Sequence, residues 1–277
     1  MLPVRQPPAG STAAPTRVVH VLSLLGVTAV PAAGWFFADW SGPTTLAVYW
    51  FETLAACLFI IARIAVHQRW SPRRGHFSYN APSAGRRGVQ TSKFITGFAV
   101  TSLVFCAAHG LFLGAIVFVL HHNGNSAAID VNWRSVGFSW RSVGFGCLSV
   151  LLFLALDFVM DLLTLRRWSF LDIEQTTQRA LSRVVVIHLT LIFGFLGLAL
   201  TDAPGALFGV FVVLKSMSAL SVALPQWEPA EPPKWLSRIM NRVPNVHPGK
   251  RFEEFWSTDR ADETARRERN ELPWRGR

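Results

Sequence analysis

Six long apolar runs with almost no charge constrain this chain more than any other feature. They are Val18–Ala38, Thr44–Val66, Phe94–Leu120, Val143–Leu165, Val184–Thr201 and Ala206–Leu224. Each has a length of roughly 18 to 27 residues, which crosses a bilayer as a helix. Because the bilayer core offers no water to the backbone, each run must satisfy its own amides as an α-helix. The sequence therefore predicts an all-α, polytopic membrane helix bundle with about six transmembrane helices.

Composition excludes the main soluble classes. Apolar residues make up 51% of the chain and charged residues only 16%, whereas soluble domains carry about 25% charged residues. We predict a disordered N-terminal tail over residues 1–16, a six-span transmembrane domain over 17–224 and a C-terminal tail over 225–277. The segment Val30-Pro31-Ala32-Ala33 also resembles a signal-peptidase site, so cleavage after the first run is an open alternative.

The distribution of basic residues predicts the orientation. Of the 27 Lys and Arg residues, 23 fall in the two terminal tails, the loop after the second run and the loop after the fourth. The opposite loops hold only Arg134 and Arg141. Since basic residues accumulate in cytoplasmic loops, we predict a multi-pass protein of the inner (plasma) membrane with both termini in the cytoplasm.

The C-terminal tail contains one amphipathic segment, Lys234–Val243. An apolar stripe there runs beside basic residues spaced by four. Such a helix lies on anionic lipid or packs under the ends of the spans, and the sequence leaves both open. From Lys250 onward charges of both signs dominate, which predicts an exposed helix or a disordered tail.

Ionisable residues inside the apolar runs are the candidate functional groups, because such residues in a bilayer face the bundle interior and find partners. By depth they form a central intramembrane polar cluster of Glu52, His109, Asp157 and Lys215. An inner polar layer consists of Arg63, Asp161, Arg183 and His188. Both groups could be buried structural ion pairs. They could equally form a proton or ion path, or an acid–base site.

Other chemistries receive little support from the sequence. The eight histidines include no HxxxH or HExxH motif, and Cys57, Cys106 and Cys147 form no CxxC pair. We therefore predict no metal and no cofactor. The net charge of +10 comes without a nucleic-acid-binding motif, so we expect membrane lipid rather than nucleic acid as the partner. Two GxxxG pairs, Gly110 with Gly114 and Gly205 with Gly209, could hold a protein partner or a second copy.

Three motifs carry a resemblance to a known family. The chain contains Tyr-Trp-Phe-Glu ending at Glu52, Phe-Cys-Ala-Ala-His-Gly around His109, and Arg183 followed five residues later by His188. Over residues 44–224 it resembles a family of prokaryotic multi-pass membrane proteins that is known only as a domain of unknown function. The resemblance marks Glu52, His109, Arg183, His188 and Lys215 as the residues of interest.

The chain also departs from that family's pattern. Thr101 stands where the family often has a histidine. The family also tends to have a histidine in the fourth span, where this chain has Asp157 and Asp161. These differences argue against a multi-histidine metal site. The resemblance implies no activity.

Three functions fit these residues. The first is proton- or ion-coupled translocation through the polar cluster. The second is a membrane-embedded enzyme that acts on lipid, with His109 and Asp157 as an acid–base pair near Glu52. The third is a non-catalytic subunit of an envelope complex, held by its GxxxG faces and its tail.

Overall fold

The structure is a computed structural model, and it describes residues 13–82, 90, 91, 93–122, 139–182, 184, 185, 229, 231–243, 249 and 251–275. The long helices are α1 (Ala13–Phe37), α2 (Gly42–Trp70), α4 (Phe94–His122), α5 (Trp140–Thr164) and α8 (Phe252–Glu271). The shorter ones are α3 (Arg74–Phe77), a 3₁₀ turn (Leu165–Arg167), α6 (170–182) and α7 (Lys234–Met240). An antiparallel ribbon joins β1 (Tyr79–Asn80) to β2 (Gln90–Thr91).

Three of these helices are long and apolar enough to cross a membrane. They cover Thr44–Trp70, Phe94–Ala115 and Trp140–Arg167, which match the second, third and fourth predicted spans. The first predicted span lies on α1, whose apolar stretch is shorter, Leu25–Gly34. The fifth and sixth predicted spans lie outside the described residues except for 184 and 185. A nearly all-α chain with three candidate membrane spans is thus confirmed, and the number six stays a prediction.

A tight reversal joins α1 to α2. The Trp40 amide donates to the Gly34 carbonyl over 3.0 Å, and Asp39 takes the left-handed conformation at φ 49°. The Trp40 ring covers Gly34 so closely that a Cβ there would collide with it. Ser41 then caps α2 by accepting the Thr44 amide. The helices consequently run antiparallel, as the short link predicts.

Helix α2 lies in the middle of the described bundle. It packs against α5 and α4, while α1 packs against α5. Near the α1–α2 reversal the core is Val27, Val48 and Val150. At the opposite end a larger apolar cluster includes Ile64 and Phe170. Because α2 touches both other candidate spans, polar side chains on it are placed to meet groups from either.

The C-terminal helix lies against the end of the bundle where α2 ends, α4 begins and α5 ends, which we call the tail-side end. The Arg74 amide donates to the Leu272 carbonyl over 2.7 Å, and the Trp274 amide donates to the Pro72 carbonyl over 3.1 Å. The Phe170 amide donates to a Glu271 carboxylate oxygen over 2.7 Å. The loop after α2, the turn after α5 and the tail therefore share one side of the bundle.

The expectation for the chain from Lys250 onward needs a correction. Most of the segment is an exposed helix, as one alternative predicts, but the face of its last turns that holds Arg266 and Asn270 is buried. Charges of both signs predicted a solvated face. Instead, opposite charges on the loops of the bundle pair with them.

Candidate functional site

A buried arginine between two aspartates is the centre of the candidate site. Arg63 Nη2 donates to Asp157 Oδ2 over 2.6 Å, and Arg63 Nε lies 2.6 Å from Asp161 Oδ2. The side chains of Arg63 and Asp161 are buried, and that of Asp157 is 22% exposed. Because the two aspartates are four residues apart on α5, they lie on one helical face. One cation on α2 therefore meets both carboxylates.

Two phenylalanines line this group. The Arg63 guanidinium carbon lies 5.6 Å from the centroid of the Phe158 ring, and the Phe158 ring lies 5.3 Å from that of Phe59. An aromatic face attracts a cation without forming a directional hydrogen bond. The guanidinium is thus held in an aromatic and carboxylate environment between two candidate membrane spans.

The structure groups these residues differently from the depth estimate. The sequence places Asp157 in the central cluster and Arg63 with Asp161 in the inner layer, whereas the structure joins all three. The long arginine side chain spans a helical turn and reaches both carboxylates. The other predicted members Lys215, Arg183 and His188 lie outside the described residues, so their place in either group stays a prediction.

Glu52 and His109 lie nearer the reversal between α1 and α2. Glu52 is buried on α2. His109 is half-buried on α4, and its Nδ1 lies 2.7 Å from the Phe105 carbonyl of its own helix. That contact orients the imidazole of His109 along α4.

The two motifs that contain Glu52 and His109 meet through Trp50. Its indole Nε1 donates to the Cys106 carbonyl over 2.8 Å. Its ring lies over Gly110, where a Cβ would approach it to 3.0 Å. The sequence alone does not predict the bond of Trp50 to α4, because that bond depends on which helices are neighbours. Gly110 is therefore used inside the chain, whereas a Cβ at Gly114 would meet no atom of the described residues within 4 Å.

A pair of buried histidines continues the polar contacts toward the tail-side end. His67 Nδ1 lies 2.9 Å from His76 Nε2, and His67 Nε2 lies 3.0 Å from the Trp168 carbonyl. Since a carbonyl only accepts, His67 carries its proton on Nε2 and accepts from His76. Burial, with the nearby His67 and Arg73, lowers the pKa of His76 to about 3.

Sequence reasoning missed this pair, although one signal was present. His67 follows Arg63 by four residues and so lies on the same face of α2. A search for ionisable residues on that face, continued past the end of the apolar run at Val66, would have found it. His76 carries no comparable signal because it belongs to a loop.

A second arginine cluster, at the tail-side end, was also missed. Arg266 donates to both carboxylate oxygens of Glu174, over 2.8 and 3.1 Å, and to both of Glu263, over 2.7 and 2.8 Å. It also donates to the Asn80 carbonyl over 2.7 Å. The Tyr79 hydroxyl donates to Glu174 over 2.5 Å. We call Arg266, Glu174, Glu263, Tyr79 and Asn80 the clamp.

The environment of the clamp shifts its ionisation. The hydrogen bond from Arg266 lowers the pKa of Glu263 below its usual range. Burial, followed by the charge of Glu174, raises the pKa of the Tyr79 hydroxyl. At neutral pH the clamp therefore contains an ionised Glu263 and a neutral tyrosine. Such a saturated group holds helices together and has no donor left for a ligand.

Within the described ranges, no group of three or more His, Cys, Asp or Glu side chains is arranged to hold a metal ion. Comparison with known proteins adds one match. Residues 11–234 match the model of a family of unknown function, which agrees with the resemblance drawn from the motifs and extends it beyond residues 44–224. Neither the curated proteins nor the solved structures give a match.

Proposed function

We propose that this chain, which belongs to the family of unknown function DUF6498, carries out proton- or ion-coupled translocation across the inner membrane. The observation that carries the proposal is Arg63 lying within 2.6 Å of both Asp157 and Asp161 between two candidate membrane spans. Ionised groups in a bilayer are costly and mark ion pathways and proton relays.

The chemistry of the group favours a proton or a small cation. When one aspartate takes a proton, Arg63 stays paired with the other, so protonation changes the partner of Arg63 and leaves it neutralised. A cation bound by a carboxylate would have the same effect. Because Arg63 is on α2 and both acids are on α5, this exchange changes the contact between two helices. Binding is thereby coupled to helix position.

The proposal also assigns the chain an orientation in the membrane. The loop after α2, the turn after α5 and the tail meet at the tail-side end, and these segments carry most of the basic residues. By the positive-inside rule we assign this end to the cytoplasm. The N-terminal end of α1 lies on the same side, because α1 runs antiparallel to α2. Both termini are then cytoplasmic.

The acid–base enzyme is a weaker proposal on this geometry. It requires His109 and Asp157 to act on one substrate. His109 Nδ1 instead lies 2.7 Å from the Phe105 carbonyl, and Asp157 accepts from Arg63. Both groups are therefore oriented by contacts that differ from the ones such a reaction needs.

Proteoliposomes with a trapped pH indicator test translocation. Under an imposed pH gradient, with valinomycin to clamp the potential, we expect a proton flux above that of empty liposomes. Adding Na⁺ outside, with K⁺ kept equal on both sides, separates proton movement from cation exchange. Asp157→Asn should lower the flux at least tenfold, because an amide takes no proton at neutral pH.

Asp262→Asn is the matched control, since Asp262 is exposed on α8 and its loss should leave the flux unchanged. If the unaltered protein moves no proton and no alkali cation under either gradient, translocation is refuted. An equal flux in Asp157→Asn would instead remove this aspartate from the path.

A further inference from the structure

The short helix α7 presents two parallel stripes to its surroundings. Trp235, Ile239 and Val243 are 60%, 52% and 51% exposed. Lys234, Arg238 and Arg242 are exposed beside them. Residues four apart share a helical face, and the turn that follows α7 continues both stripes through the Arg242 to Ile239 hydrogen bond. We call these six residues the outer face of α7.

The opposite side of α7 is fixed to α8. Ser237 is buried there. The Asn241 amide nitrogen donates to both carboxylate oxygens of Glu253, over 3.2 and 3.3 Å, and the Asn241 oxygen accepts the Phe252 amide over 2.8 Å. These contacts settle which side of the short helix is covered. They leave three large apolar side chains on the uncovered side.

The chemistry of the outer face matches a lipid surface. Tryptophan prefers the headgroup level of a bilayer, and an apolar stripe flanked by basic residues is the pattern of helices that lie in that interface. The segment 234–243 contains no acidic residue, so its charge complements anionic lipid. A buried protein contact would leave three basic side chains to be neutralised by a partner.

The position of α7 in the chain supports the same occupant. The last predicted span ends at Leu224, ten residues before Lys234. Ten residues reach at most about 36 Å, which keeps α7 within reach of the inner surface of the membrane. We propose that the outer face of α7 docks on anionic phospholipid headgroups of the membrane that the chain spans, with Trp235 and Ile239 inserted at headgroup depth.

A nitroxide on Ile239→Cys tests this in the full chain, reconstituted in nanodiscs after the three native cysteines are replaced by alanine. In discs with anionic lipid we expect greater accessibility to lipid-soluble oxygen than to a water-soluble nickel chelate. In discs of neutral phosphatidylcholine, or at high salt, the order should reverse. A nitroxide on Asp259→Cys, an exposed site on α8, should stay accessible to nickel in every disc.

Charge substitutions sharpen the test. Each basic residue near an anionic surface contributes roughly fivefold to the docked population. Arg242→Gln should therefore lower the ratio of docked to free α7 about fivefold. Arg269→Gln, an exposed arginine on α8, should leave that ratio unchanged.

Three outcomes would overturn the proposal. A nitroxide at 239 that is equally accessible to nickel in anionic and neutral discs would show no docking. Shielding from both reagents would assign the outer face to protein packing. If the oxygen accessibility of the nitroxide at 239 does not change with lipid charge or salt, docking does not depend on anionic lipid.

A second measurement needs no substitution. Trypsin cleaves after Lys234, Arg238 and Arg242, and in the unaltered chain anionic discs should slow this cleavage at least fivefold relative to neutral discs. Equal rates in the two discs would contradict docking.

Discussion

Two arginines in this molecule each lie between two carboxylates, and they differ in how completely they are bonded. Arg266 makes five hydrogen bonds, two to Glu174, two to Glu263 and one to the Asn80 carbonyl. Within the described part of the chain, Arg63 makes one hydrogen bond, to Asp157, and an ion pair with Asp161. A guanidinium has five N–H donors. The donors of Arg266 are therefore matched by acceptors in number, while Arg63 is held by fewer directional contacts.

The difference fits a structural role for Arg266 and the functional role that we propose for Arg63. Two bidentate forks fix Arg266 in position and orientation, so its cluster joins the tail to the loops. Arg63 lies 2.6 Å from both carboxylates with fewer directional hydrogen bonds, and an aromatic ring at 5.6 Å adds attraction without direction. Under the proposed function, a cation held in this way changes partner at a lower free-energy cost. An arginine between two carboxylates thus forms the clamp at the tail-side end and, between the candidate spans, the ion pair that we call the movable pair.

The largest effect is expected when the clamp is broken. Arg266→Met should lower the free energy of unfolding by about 3–5 kcal/mol, because it strands the buried Glu174 carboxylate. Chemical denaturation in detergent measures this, and limited proteolysis should show release of α8. The double variant Arg266→Met, Glu174→Met should recover most of the loss. A single variant as stable as the unaltered chain would contradict the role of the clamp.

The second effect depends on pH and concerns His76, which lies beside the clamp. The folded-state pKa of His76 is about 3, against about 6.5 in an unfolded chain. Between these values the unfolded state binds more protons, so stability is complete above about pH 6.5 and falls as pH drops toward 3. From pH 7 to pH 5 the loss should be roughly 2 kcal/mol.

Denaturation at several pH values measures this loss, with His76→Phe as the control because it keeps a ring and removes the titration. Its stability should fall less between pH 7 and pH 5. An identical pH profile in both proteins would refute the assignment to His76.

A smaller stability effect is expected at the movable pair. In Asp157→Asn the amide oxygen still accepts from Arg63, and Asp161 still neutralises it. The free energy of unfolding should change by about 1 kcal/mol, while we expect the proposed translocation to be lost. A loss of about 3–5 kcal/mol that Arg63→Met restores would instead mark Asp157 as a fixed structural partner.

The smallest effect is expected at a half-buried neighbour of the clamp. Arg267 Nε lies 2.7 Å from Glu263, but its side chain is 28% exposed. Helical pairs of this kind contribute about 0.3–0.5 kcal/mol. Arg267→Gln should therefore stay within that range in the same denaturation measurement. A larger loss of unfolding free energy would mean that the contacts of Glu263, rather than those of Glu174, supply most of the stability of the clamp.

The sequence predicts the membrane helices well and the contacts between distant segments poorly. Apolar length locates α2, α4 and α5, because a bilayer demands about 20 uncharged residues whatever the neighbours are. Arg63 and the two aspartates were found since charge inside such a run is conspicuous. Their mutual pairing was not, because it depends on which face of α2 meets α5.

The clamp is an example of contacts that the sequence does not predict. Tyr79, Glu174 and Arg266 are separated by up to 187 positions in the chain, and each lies in a polar segment of ordinary composition. Charged residues in such segments are solvated in most proteins. Only the fold shows that Glu174 and Arg266 are buried together.

The clamp also imposes an order on biogenesis. Tyr79 and Glu174 are made before Arg266, and chains acquire structure from the N-terminal side during synthesis. The candidate membrane spans α2, α4 and α5 are therefore synthesised while Glu174 still lacks its arginine. We expect closure of the tail-side end to come late in assembly, and a chain cut short before α8 retains a carboxylate without that arginine. The stability of the described bundle should then depend on complete translation of the chain.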